Sequence, residues 1–376
     1  MGCEPEQKLT PPHDYRKRKF NLPEGVPPLT SLYLYIACSC NLACRHCWIE
    51  PDFQAGNLEG RFSQLEHVEK AIQQAKPMGL CTAKLTGGEP TLHPQFHEIV
   101  ELIDSHGIRM NMESNGILIN KDMAQFLKSK KHFSFISVSV DGANAETHEW
   151  LRGVEGSFEL AVQGIRNMVE VGFHPQMICT LHKKNVGELD DIINLANDLG
   201  CGSIKFNNVQ HIGRGDHFAE EYGFSIKELI SLFNHVENEL QPNHSIKIHF
   251  DIPMAFYPIK KLFSPSGSCH ILNILGILSN GDMSICGIGV GISELVFGNL
   301  GRDQLDQVWI EAPKLHELRR LIPDHFEGVC GRCLHKYQCL GSCIAHNYFL
   351  LQKFNAPYFF CQQAFEQGCF PATRLQ

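Results

Sequence analysis

The sequence predicts an α/β fold, a partial (β/α)6 barrel followed by a small cysteine-rich domain. Three observations predict it. Six short runs rich in β-branched and aromatic residues are each followed by a segment with apolar residues at helical spacing. Three of those helical segments stop before a glycine, at Gly107, Gly172 and Gly200. From about residue 265 the alternation ends and glycines and cysteines become dense.

The units run in order. "SLYLYIA" (31–37) is the first strand, and "FSQLEHVEKAIQQAK" (62–76) supplies the first helix. "TAKLTGG" (82–88) precedes "HPQFHEIVELIDSHG", and "RMNMESNG" (109–116) precedes "KDMAQFLKSK". "FSFISVSVDG" (133–142) precedes "SFELAVQGIRNMVEVG". "PQMICTL" (175–181) leads into "VGELDDIINLANDLG", and "SIKFNNV" (203–209) into "SIKELISLFNHVENEL". Such alternation implies a parallel sheet with helices outside. Six units fall short of a closed eight-unit barrel, so an open one is expected, with its active-site groups at the C-terminal ends of the strands. The organisation follows: a Pro-rich basic arm over residues 1–29, the barrel over 30–264, and a cysteine-rich domain over 265–376, divided at Ser264-Pro265-Ser266-Gly267.

Composition narrows the function classes. An apolar share of 43% and a charged share of 20% are those of a globular protein. With 33 Lys and Arg against 41 Asp and Glu, the net charge of −8 offers no basic field to a nucleic acid. The basic run Arg16-Lys17-Arg18-Lys19 reads as a solvated tail. No apolar run approaches the roughly 18 residues of a membrane helix. The N-terminus lacks the apolar core of a secretory signal, and Glu6 stands where a myristoylation motif needs Ser or Thr. A cytoplasmic protein is expected, with neither nucleic acid nor membrane as a partner. In a reducing compartment, 16 cysteines point to metal or redox chemistry rather than disulfides.

The stretch "CSCNLACRHC" (38–47) leaves the first strand and spaces Cys40, Cys44 and Cys47 as C-x3-C-x2-C. Short spacing lets one loop wrap a small iron–sulfur cubane with three thiolates. Zinc wants a fourth ligand; with Cys38 and His46 nearby, this stretch alone leaves zinc open. Three thiolates on a four-iron cluster would leave one iron free to bind a cofactor.

These residues, with those that follow, resemble the radical S-adenosylmethionine (SAM) superfamily. Its C-x3-C-x-(aromatic)-C motif has His46 in the aromatic slot here, and further motifs appear at successive strand ends. "GGEP" (Gly87, Gly88, Glu89, Pro90) resembles the loop that holds the SAM amino group. "SNG" (Ser114, Asn115, Gly116) follows the third strand and "SVDG" (Ser139 to Gly142, with Asp141) the fourth. Arg152, in "LRGVEGSF", is the implied partner of the SAM carboxylate. The resemblance implies a TIM-like partial barrel, and reductive cleavage of SAM to a 5′-deoxyadenosyl radical that takes a hydrogen atom from substrate.

The C-terminal cysteines read Cys269-x11-Gly-x4-Cys286, Cys330-x2-Cys333-x5-Cys339-x3-Cys343 and Cys361. C-x2-C spacing also suits a zinc knuckle, but the seven-cysteine pattern resembles the SPASM domain of radical SAM enzymes. That resemblance implies two auxiliary [4Fe–4S] clusters, three in all. Cys330, Cys333, Cys339 and Cys361 would close one. Cys269, Cys286 and Cys343 would hold the other, with its fourth ligand open or filled by Cys369 or His270. Cys38, Cys179 and Cys201 read as packing thiols.

"SLYLYIACSCNLACRHCWIEP" looks most like the peptide-maturase branch of that family. The implied substrate is a ribosomally made precursor peptide, to be crosslinked, epimerised, or relieved of part of a residue. An electron donor such as flavodoxin or ferredoxin is implied as well. Only about 30 residues precede the first strand, too few for a leader-recognition domain, so leader binding would fall to a separate protein, the barrel surface or the basic arm. Haem- or quinone-cofactor biosynthesis is the alternative. Sulfatase-type maturation is a further one, although Gly287 stands where those enzymes carry an acidic residue.

Overall fold

The computed structural model describes residues 20–51, 53, 61–262 and 269–376. Its parallel strands are β1 (Ser31–Ala37), β2 (Thr82–Gly87), β3 (Arg109–Ser114), β4 (Phe133–Ser139), β5 (Gln176–Leu181), β6 (Ser203–Asn208) and β7 (Lys247–Phe250). Each hydrogen-bonds to the next in sequence order. The helices among them are α1 (Leu65–Ala75), α2 (Phe96–Ser105), α3 (Lys121–Ser129), α4 (Ala145–Arg152), α5 (Ser157–Glu170), α6 (Leu189–Asp198), α7 (Arg214–Tyr222) and α8 (Ile226–His235).

Alternation along the strands sorts the sheet into two chemically different faces. Leu32, Leu34, Ile36, Ala83, Leu85, Met110 and Met112 pack with Val68, Ile72, Ile99 and Ile103 of α1 and α2 in one continuous core. The opposite face carries Tyr33, Tyr35, Lys84, Thr86, Asn111 and Glu113 and forms a polar lumen. Helix ends carry the expected signals. Asn120 and Asn144 cap α3 and α4, Ser225 and Glu228 form a capping box on α8, and Gly107, Gly172 and Gly200 take positive φ after α2, α5 and α6.

Three features depart from the expectation. A seventh parallel strand, β7, follows the six; its four sheet residues are too few for an alternation to stand out. Helices α4 and α7 are short and heavily charged, "AETHEWLR" and "RGDHFAEEY", so their apolar stripes are thin. The C-terminal region also continues the barrel sheet. Strand β8 (Ile274–Ile277) pairs parallel with β1, and β9 (Asp282–Ser284) and β10 (Val296–Asn299) follow antiparallel. The sheet of ten strands is open, in the order β10-β9-β8-β1-β2-β3-β4-β5-β6-β7. The boundary at 264–267 and the run Arg16-Lys17-Arg18-Lys19 lie outside the described residues. Trp309, buried in the helix Leu305–Glu311, donates to the carbonyl of Pro27 at 2.9 Å and ties the C-terminal region to the chain ahead of β1. Among the described residues, no helix is long and apolar enough to cross a membrane.

One packing contact bears on the site. A Cβ on Gly164 of α5 would lie 2.2 Å from the carbonyl oxygen of Gly116, in the loop after β3. Alanine gains about 1 kcal/mol of helix propensity over glycine, while overpacking against backbone costs about 1–3 kcal/mol. Gly164→Ala is therefore expected to lower the thermal unfolding midpoint, read by circular dichroism; an unchanged or raised midpoint would mean that α5 moves away freely.

Candidate active site

The loop after β1 carries the first cysteines and is held from three sides. Ala43 N–H donates to the Arg152 carbonyl at 3.1 Å and Arg45 N–H to Leu151 at 2.9 Å. Arg214 N–H donates to the Cys47 carbonyl at 3.2 Å, and its guanidinium reaches the Cys44 carbonyl at 2.9 Å. Gly153, at φ +74°, lets α4 end against Ala43; a Cβ there would lie 2.7 Å from the Ala43 oxygen.

Cys40 and Cys44 are buried and Cys47 is half-buried. Leu42 N–H donates to Cys40 Sγ at 3.4 Å, and Arg152 Nη1 lies 3.6 Å from Cys44 Sγ. Burial, and then the Glu89 carboxylate, pushes the Cys40 thiol up to about 12. Burial also raises Cys44, against the pull of Arg152. Without a cation, thiols so placed stay protonated; bound iron would deprotonate them. His46 directs a buried Nδ1 with no partner and packs its ring 6.2 Å from Phe218; burial holds it down to about 4.

The "GGEP" loop lies directly on the cysteine loop. Gly88 N–H donates to the Ala37 carbonyl at 2.7 Å and Glu89 N–H to Ser39 at 2.9 Å. A Cβ on Gly87 or Gly88 would fall 2.3 or 2.2 Å from those same oxygens, so only glycine permits the approach. Glu89 is fully buried and its carboxylate is saturated. Oε1 accepts from Thr91 N (3.1 Å), Thr91 Oγ1 (2.6 Å) and Ser114 Oγ (2.9 Å), and Oε2 accepts from Asn115 N (2.7 Å). Burial raises Glu89 in spite of these bonds. Its carboxylate joins the ends of β2 and β3. Pro90 opens a single 3-10 turn after it, and Asn115 Nδ2 reaches Asn41 Oδ1 at 2.7 Å, closing the ring of loops.

Asp141 and Arg152 form a buried pair, Nε to Oδ2 at 2.5 Å. Asp141 Oδ1 accepts from Thr180 N–H at 2.7 Å, and its own N–H donates to His148 Nδ1 at 3.1 Å. Burial pushes the Asp141 carboxyl up, but Arg152 and the other donors hold it below the usual range. Arg152 is thereby shared between Asp141 and Cys44. Ser139 ends β4 half-buried.

The C-terminal cysteines fall into two groups. Cys330, Cys333, Cys339 and Cys361 line one small cavity of about 20 Å³ with Phe326 and Tyr358. Amides point at its sulfurs, Tyr358 N–H at Cys330 (3.3 Å) and His335 N–H at Cys333 (3.4 Å). Burial raises Cys330 to about 12 and Cys339 to about 11. Cys269, Cys286 and Cys343 are each raised to about 12, first by burial and next by one another's charge. Of the suggested fourth ligands, His270 is exposed and Cys369 Sγ donates to the Ala364 carbonyl at 3.3 Å. Among the described residues no three Cys, His, Asp or Glu side chains close on a single ion, and no disulfide forms between described cysteines. Gathered, buried thiols with amide donors fit iron–sulfur clusters, whose sulfurs such donors stabilise.

Sequence reasoning missed the lumen. Lys84 Nζ pairs with Glu113 at 2.5 Å and lies 5.0 Å from the Tyr33 ring; Tyr35 is buried beside Cys286. The tyrosines at alternate positions of "SLYLYIA" were the available signal.

A βα barrel with these thiol groups is suited to hold iron–sulfur clusters. Residues 34–196 match the radical SAM superfamily, and residues 269–334 match SPASM, an iron–sulfur cluster-binding domain. The chain thus carries a radical SAM domain and a SPASM domain. It is 28% identical over 339 residues to mycofactocin maturase MftC of Mycobacterium ulcerans, covering 87% of this chain and 86% of that protein. It is 26% identical over 324 residues to the AdoMet-dependent heme synthase of Methanosarcina barkeri, covering 83% and 90%. Its fold is that of Streptococcus suis SuiB bound to precursor peptide SuiA, with a TM-score of 0.70 at 18% identity over 89% of this chain and 76% of that one.

Two buried histidines beside the site make stability depend on pH. His148 and His182 are buried, and burial holds each down to about 4. In the unfolded chain they titrate near 6.5. Between these values the unfolded state binds more protons, so stability falls as pH drops below about 6.5 and levels off below about 4, by on the order of 3 kcal/mol per histidine. The unfolding midpoint measured from pH 7.5 to 5.5 is expected to fall, and His182→Leu to flatten the slope; parallel slopes would refute the assignment for His182.

Proposed function

We propose that this chain modifies a ribosomally made precursor peptide by radical chemistry. The observation that carries the reading is the open sheet, whose inner face sets Tyr33, Tyr35, Lys84 and Glu113 between the Cys40–Cys44–Cys47 loop and the Cys269–Cys286–Cys343 group. Similarity to a maturase along most of both chains supports it. When bound, the cluster and SAM supply a 5′-deoxyadenosyl radical.

Cys40, Cys44 and Cys47 hold that cluster in this reading. Gly87, Gly88 and Pro90 present backbone to the SAM amino group, while Glu89 fixes Ser114 and Asn115. Arg152, oriented by Asp141, faces the SAM carboxylate; His46 and Ser139 border the cofactor. Two auxiliary [4Fe–4S] clusters bring the total to three. One sits on Cys330, Cys333, Cys339 and Cys361, the other on Cys269, Cys286 and Cys343. The domains run over 1–29, 30–264 and 265–376, and the protein works in the cytoplasm with a flavodoxin or ferredoxin as electron donor and a separate leader-binding protein. Similarity to the heme synthase favours a second reading, a porphyrin substrate.

Anaerobic reconstitution is expected to give about 12 iron per chain for three four-iron clusters, and Cys330→Ala to lose about four. With SAM, reductant and the short peptide encoded beside this chain's gene, mass spectrometry should find 5′-deoxyadenosine together with an altered peptide. An unaltered peptide and a converted porphyrin would replace the peptide reading with the second one.

A further inference from the structure

Tyr35 occupies the space that a side chain at position 287 would need. A Cβ on Gly287 would lie 2.2 Å from Cε1, 2.3 Å from Cζ and 2.6 Å from the hydroxyl oxygen of Tyr35. No real Cβ tolerates such approaches, so a side chain at 287 would force the buried ring out of its place. Gly287 is thus glycine for room, so that the Tyr35 ring can lie against the residue after Cys286. Gly276 of β8 makes the complementary allowance, since a Cβ there would meet Cys286 Cα at 2.9 Å. Two glycines therefore shape the wall around one cysteine, and a tyrosine from β1 fills it.

The placement of that tyrosine is informative. It belongs to the lumen face of β1, opposite Thr86 of β2, and three residues beyond it the chain enters the cysteine loop. The backbone amide of Gly287 donates toward the Tyr35 oxygen, and Cys286, Glu113 and Tyr33 are its charged or titratable neighbours. One strand step away, Tyr33 lies under Lys84, and Lys84 is engaged by Glu113. Lys205 faces the same carboxylate. The charged groups of the lumen thus answer one another, whereas the phenol oxygen, fixed on one side by an amide, keeps its own proton for another acceptor.

We propose that Tyr35 is the substrate-orienting hydrogen-bond donor of the lumen, offering its O–H to a peptide carbonyl held between the Cys40–Cys44–Cys47 loop and Cys286. The inference rests on the peptide reading above. A donor fixed in a chamber with little water holds one carbonyl in one place, and with it the carbon whose hydrogen is to be removed. The chemical class it selects is a carbonyl acceptor, such as that of a peptide amide.

Tyr35→Phe keeps the ring against Gly287 and deletes only the hydroxyl. For a fluorescein-labelled synthetic copy of the peptide encoded beside this chain's gene, anisotropy without reductant is expected to show affinity weakened about tenfold. Under turnover, modified peptide per 5′-deoxyadenosine should fall with it, at unchanged iron content. Gly287→Ala, which displaces the ring, should reproduce the loss of affinity. Equal affinity and an equal product ratio in Tyr35→Phe would overturn the proposal, and so would loss of iron in both variants, which would make the contact a structural one. If the wild type binds and alters no peptide, the peptide reading itself fails and this inference goes with it. If the wild type alters the peptide and Tyr35→Phe matches it, only this inference fails.

Discussion

The arrangement of the site depends on one buried carboxylate. Glu89 has no contact with solvent, and an unpaired charge there would be costly. Its stability comes from four donors on two loops, which ties the end of β2 to the end of β3. Because the same segment hydrogen-bonds to Ala37 and Ser39, the end of β1 is fixed as well. Three strand ends thus hold one geometry, and the cysteine loop is laid on top of it. A glutamine could not replace this group without turning an amide N–H toward a donor.

The Asp141–Arg152 pair does similar work on the other side of the loop. It joins β4 and α4 to Cys44 and to the end of β5 through Thr180. Neither pair has to add much net stability, since buried ion pairs roughly balance their desolvation. What they supply is position. Apolar packing on the outer sheet face provides the stability, and this leaves the inner face free to be polar, which an ordinary closed barrel with a filled interior cannot be.

Much of this was legible in the sequence because it is local. The first strand coincides with "SLYLYIA" residue for residue, and the cysteine spacings, the glycine stops and the strand-end motifs are all set by neighbours a few positions apart. What escaped depends on pairing at a distance or on short segments. Strand β7 has too few residues to show a period. Helix α4, which carries Arg152, is largely charged. Strand β8 reads as part of a cysteine-rich tail, although its partner is β1. The Lys84–Glu113 pair and the packing of Tyr35 on Gly287 bring together residues from different strands, and no local pattern records such a meeting.

The union of β8 with β1 has a consequence for synthesis. Thr30 and Asn273, at the head of that pairing, hydrogen-bond across a separation of 243 residues. At roughly 5–20 residues per second of translation, the far edge of β1 waits on the order of 10–50 s for its partner. During that interval a strand rich in tyrosine and leucine shows a row of unpaired amides, the kind of edge that recruits other chains. The cysteine loop emerges early, yet the wall that encloses it arrives late.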